Sequence, residues 1–168
     1  IGEEAAKQAV DLLGGKPVPT QTASVVYHPI AATAMLGALS QALTAQAMQR
    51  NRSFLQGKLG QVVGSDVVTL LDNGRLPGGL ATRPFDDEGN PTSATRLIDE
   101  GVFQAVIYDA YTADKDGTDS TGNAMRGSHT SAPSLAPSNF YIQPGHESAA
   151  AVIAGVEKGL YVVNTMNT

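Results

Sequence analysis

Cysteine is absent from the 168 residues, which excludes a disulfide framework, a thiolate metal site and a cysteine nucleophile within them. Charge is sparse, at 16% of residues, and between Pro17 and Gln49 there is none: all 11 basic and all 16 acidic residues lie outside that stretch. Basic residues are outnumbered overall, and a net charge of -5 offers no general attraction to phosphate backbones or anionic membranes. Direct DNA binding and a membrane surface are therefore not expected. The charge-free stretch is no membrane span either, because a span needs about 20 mostly apolar residues and Thr33, Ser40, Gln41, Thr44 and Gln46 interrupt it. The opening Ile1-Gly2-Glu3-Glu4 lacks an initiator Met and a basic-then-apolar leader, so a fragment without a signal peptide is expected. A cytoplasmic location fits these absences.

What is present describes a loop-rich globular chain of ordinary domain size, 42% hydrophobic with 18 Gly and 9 Pro. Residues 3–13 predict an amphipathic helix with acids in its first turn, ended by Gly14-Gly15. Ser24 to Tyr27 has strand composition, and His28-Pro29 closes it where a helix can start. The spacing then predicts one charge-free helix from Ile30 to Met48, with a weakly polar stripe at Thr33, Gly37, Ser40/Gln41 and Thr44. Such a helix is either buried in the core or lines a site or a subunit interface.

Beyond it, Ser53 to Gly60 reads as a helical turn, Val67 to Leu71 as a strand and Asp72-Asn73-Gly74 as a turn. The loop after it runs into the acidic tract Phe85-Asp86-Asp87-Glu88-Gly89. Arg96 to Asp99 and Val102 to Tyr108, joined by Glu100-Gly101, predict a hairpin. Tyr111 to Asp116 predicts a short helix and Gly117 to Ser138 a long polar loop of the kind that carries function. Strands at Asn139 to Gln143 and Leu160 to Val163 flank a helix at 147–157. With no regular βαβ repeat, the fold class is α+β: a mixed, largely antiparallel sheet, a long charge-poor helix and peripheral helices.

The usual catalytic constellations are missing. His28, His129 and His146 are far apart, and none has a second ligand one helical turn away. Gly117 and Gly122 keep the spacing of a phosphate loop, but Asn123-Ala124 stand where Lys and Ser/Thr are required. Ser128 and His129 are only chain neighbours, which does not make a nucleophile and its base. Three adjacent carboxylates, Asp86, Asp87 and Glu88, either hold a cation or a substrate amine or form a solvated turn.

Several stretches stand in a recognisable order: Ser53-Phe54-Leu55-Gln56-Gly57-Lys58-Leu59-Gly60, the turn after Val67-Val68-Thr69, and 85–92. Further along come Tyr111-Thr112-Ala113, Ser120-Thr121-Gly122-Asn123, Pro137-Ser138-Asn139-Phe140-Tyr141 with Pro144-Gly145, and Gly159-Leu160-Tyr161-Val162. Together they are similar to the TldD/PmbA proteins, called modulators of DNA gyrase and regarded as a two-subunit metallopeptidase. In the TldD branch, a helix upstream of the Ser-Phe-Leu-like stretch carries H-E-x-x-x-H. The matching positions here are Leu36, Gly37 and Gln41, none of which suits a zinc site.

The resemblance therefore implies the PmbA branch, also called TldE, which lacks the motif and pairs with a TldD-type subunit. It implies no catalytic residue, metal or cofactor in this chain, with zinc in the partner. It also implies a piece of a larger two-domain chain, 1–15 ending the first domain and 16–168 beginning the second. The expected function is to help bind peptide or unfolded-protein substrates for proteolysis, through Asp87, Glu88, Asn123 and Asn139 in the matched loops. The partner is a TldD-type subunit or, in a homodimer, a second copy. The alternative function is a protein-interaction module of the gyrase-modulator type with no part in proteolysis.

Overall fold

Residues 2–165 are described by a computed structural model. Helix α1 (Gly2–Asp11) carries a Lys7–Asp11 pair one turn apart and leaves Val10, Leu12 and Leu13 exposed at its end. Strand β1 (Ser24–Tyr27) lies parallel to β8 (Gly159–Val162), so two segments far apart in sequence meet in a two-stranded ribbon. The main sheet has four antiparallel strands in the order β4 (Val102–Phe103), β3 (Ala94–Asp99), β2 (Leu70–Asn73), β7 (Phe140–Ile142). A separate ribbon pairs β5 (Ala124–Met125) with β6 (Ser134–Leu135) inside the long polar loop. This is the expected α+β class with a largely antiparallel sheet.

The charge-free segment differs from the single helix its composition predicts. It forms α2 (Pro29–Ala42) and α3 (Ala45–Gln49), separated at Leu43-Thr44. The cause is tertiary. Ile107 donates its N–H to Leu43 O at 3.0 Å and accepts from Ala45 N at 3.0 Å, which pulls Thr44 into an extended conformation. Thr44 then caps α3, its Oγ1 accepting from Ala47 N at 3.1 Å. The same contact shortens the predicted second hairpin strand to Val102–Phe103. Past Phe103 the amides of Gln104 and Ala105 both point at Leu97 O, and the chain leaves β3 to reach Thr44.

The core joins these pieces: Leu43, Leu55, Leu70, Leu97, Phe103 and Ile107 pack together, with Leu36, Leu39 and Met48 partly buried against them. Helix α2 is thus core on one side only. Ala31, Ser40 and Ala42 are buried, whereas Ile30 and Met35 remain 57% and 50% exposed. Two short helices complete the fold. Helix α4 (Ala110–Asp116) is capped reciprocally by Asp109 and Thr112 and ended by Gly117 at φ 65°, and α5 (Ala149–Ala154) is capped by Ser148. Among the described residues, no helix is long and apolar enough to cross a membrane.

Candidate functional site

Helix α2 starts where β1 stops because His28 serves both elements. Its N–H donates to Val162 O at 2.9 Å, and its Nδ1 accepts from Ile30 N at 3.2 Å, while the ring meets Tyr161 edge-on at 6.2 Å. Pro29 fills the first turn, where no N–H is needed. About two turns on, Leu36 points to the sheet, and Gly37 and Gln41 face outward. A Cβ at Gly37 would meet nothing within 4 Å, so neighbouring packing does not require a glycine there.

Between α2 and the sheet lies an apolar cleft of about 500 Å3, walled by Met35, Leu36 and Leu39 on one side and Val68, Leu70 and Ile142 on the other. Strand β7 reaches it at Ile142 and is bonded to β2 on one side and to no strand on the other among the described residues. An unpaired edge presents a row of N–H and C=O groups that an extended chain can pair with. The apolar wall supplies somewhere for alternate side chains to go.

The four residues singled out in the matched loops do not converge on this cleft. Asp87 accepts from Arg126 N at 2.6 Å and stands 3.7 Å from the Arg83 guanidinium. Glu88 Oε2 accepts from Ala110 N at 2.9 Å, at the positive end of α4. Asn139 Oδ1 accepts from Ala81 N at 3.0 Å, and its Nδ2 donates to Asn73 O and Thr82 Oγ1, which pins the loop after β2. The adjacent Asp86 is buried, and it accepts from the amides of Glu88, Asn90 and Ala124 at 2.9 to 3.0 Å. Each carboxylate of the acidic tract thus turns to its own donors, and the tract ties the 85–91 turn to β5 and α4.

Asn123 belongs to a buried network that the sequence did not reveal. Its Nδ2 donates to Asp72 Oδ2 at 2.6 Å and to Ala136 O at 3.1 Å, and its Oδ1 accepts from Thr121 Oγ1 at 2.6 Å. Asp72 Oδ1 accepts from Ser138 N at 2.7 Å and from Ser138 Oγ at 3.0 Å. Burial pushes the Asp72 carboxyl above its ordinary value, against the opposing pull of the Asn123 and Ser138 hydrogen bonds. Asp-Asn-Gly composition signals a turn, yet Asp72 is the last inward position of β2, two residues after Leu70 on the same face. The missed signal was that alternation.

No metal-ligand set is assembled among the described residues: no three of the His, Asp and Glu side chains lie close enough to hold an ion. At the α2 positions, an alkyl chain, a bare glycine and an amide offer neither a zinc ligand nor a general base. The donor set therefore does not fit zinc, and no catalytic step is assigned to it.

A helix pair, a four-stranded antiparallel sheet and the parallel β1–β8 ribbon make up the fold that known proteins share. A family model described as PmbA/TldA metallopeptidase C-terminal domain matches residues 20–168, and the chain belongs to that family. A Methanocaldococcus jannaschii protein is 36% identical over 146 residues, covering 84% of this chain and 35% of its own length. The crystal structure of a candidate modulator of a DNA gyrase from Thermotoga maritima MSB8 superposes with a TM-score of 0.90 at 30% identity, over 99% of this chain and 38% of that one. The crystal structure of TldE from Thermococcus kodakarensis gives a TM-score of 0.86 at 28% identity, over 98% and 38%. The chain thus spans little more than a third of the length of these three proteins.

Proposed function

We propose that this chain is part of a PmbA/TldE-like subunit that takes no catalytic step itself and presents peptide or unfolded-protein substrates to a zinc-bearing TldD-type partner. The observation that carries this reading is the free edge of β7 beside the apolar cleft of α2. Pairing through backbone groups tolerates varied sequences, which suits a peptidase substrate. Similarity to TldE and to metallopeptidase relatives supports the assignment, as does a helix α2 that reads Leu36, Gly37 and Gln41.

Hydrogen exchange on the full-length protein with its partner tests the binding mode. Addition of an unstructured peptide is expected to slow exchange of the β7 amides at 140–142 and leave those of β3 unchanged. Slowed exchange confined to the α1 or 126–133 regions would refute it.

A further inference from the structure

A second cleft opens on the other side of α2, with a volume of about 340 Å3. Ala38, Ala42 and Ala47 give it a small apolar patch beside Thr44 and Gln46, and Phe54 lines it 65% exposed. Its rim holds Gln41 and the guanidinium side chains of Arg50 and Arg52, and no carboxylate lines it. The two arginines come together through the end of α3. Asn51 N donates to Met48 O at 3.0 Å and Arg52 N to Ala47 O at 2.8 Å, with Asn51 left-handed at φ 55°. This is the Schellman geometry, and it folds the residue after the turn back over the helix it has left. Neither side chain makes an ion pair or hydrogen bond among the described residues.

Charge around the cleft points the same way. From Leu12 to Ser65 the chain has four basic residues and no acidic one, although the whole chain carries -5. The cleft is a positive feature of a negative protein, and it attracts anions with an apolar portion rather than polyanions. Guanidinium groups match carboxylates in a planar fork, and an alanine patch beside an exposed phenyl ring accepts a small apolar side chain.

We propose that this cleft binds the free C-terminal carboxylate of a peptide through Arg50 and Arg52, with the last side chain on Ala42, Ala47 and Phe54. The proposal rests on the peptide-binding reading above and adds to it a preference for chain ends.

The test uses the full-length protein with its partner and two fluorescent peptides of identical sequence ending in alanine, one a free acid and one an amide. Anisotropy titration is expected to give at least tenfold tighter binding of the acid, weakened by added salt. The R50Q/R52Q double variant is expected to bring the acid to the affinity of the amide and leave the amide unchanged. Where the double variant unfolds, R50Q and R52Q singly are each expected to lose part of the preference. Equal binding of acid and amide to the unaltered protein overturns the carboxylate site and leaves the β7 reading standing. Binding of neither overturns both. A preference that survives R50Q/R52Q, or inorganic phosphate binding as tightly as the acid peptide, also overturns the assignment.

Discussion

Replacing Asn123 by Ala removes the donor that holds the buried Asp72 carboxylate at 2.6 Å. Two effects add. Ala136 O loses its side-chain partner whatever the pH, whereas Thr121 Oγ1 keeps its bonds to Tyr108, and Asp72 loses one of three donors, a bond that is strongest to the ionised carboxylate. A stranded buried polar group costs about 1–3 kcal/mol, with hydrogen bonds to charged groups toward the upper end. A total of about 2–4 kcal/mol at neutral pH is expected. The pH dependence has a definite sign. Because the folded Asp72 carboxyl lies above the unfolded value of 3.8, the folded chain holds that proton more firmly. Its stabilising effect is full below the unfolded value and is lost as pH rises through the folded one. Asn123 lowers the folded value, so its removal raises it further, and the gap between wild type and variant widens from pH 4 to pH 7. Urea unfolding followed by far-ultraviolet circular dichroism at several pH values measures that gap. A gap that is constant or narrows as pH rises would refute the ionised, Asn123-held state of Asp72.

Two further substitutions test the local geometry. Gly122→Ala places a Cβ 2.4 Å from Pro91 O at a φ of 75°, and thermal melting is expected to show a loss of about 2 kcal/mol or more, from a left-handed backbone plus a clash with main chain. Thr44→Ala removes the cap of α3 and is expected to cost about 1 kcal/mol in the same assay, with faster amide exchange at Ala47.

Local signals carried much of this fold. Strand β1, helix α4 and the turn at Glu100-Gly101 lie where their residues predict, since a cap, a glycine or a β-branched run marks each one. The break at Leu43-Thr44 was invisible because the sequence around it is uniformly helix-forming, and only the pairing with Ile107, more than sixty positions away, interrupts it. The ribbon of β5 and β6 hid in polar loop composition for a related reason: each strand is two residues long and held by partners elsewhere, Asp86 onto Ala124 among them. The site was legible only in part. Absence of charge drew attention to α2, but its exposed face and the cleft beside β7 depend on how the helix sits on the sheet. Asp87, Glu88, Asn123 and Asn139 stand out in the sequence as polar residues of the matched loops, and their polar atoms bond within the chain. Nothing in the spacing of Arg50 and Arg52 announces the turn that joins them.

The central claim is that substrate holding and catalysis lie on different chains. Zinc content and peptide hydrolysis, measured on the full-length protein alone, on a TldD-type partner alone and on their mixture, test it most directly. The account predicts stoichiometric zinc in the partner and the mixture only, with hydrolysis requiring the partner. Stoichiometric zinc together with peptidase activity in the full-length protein alone would contradict it.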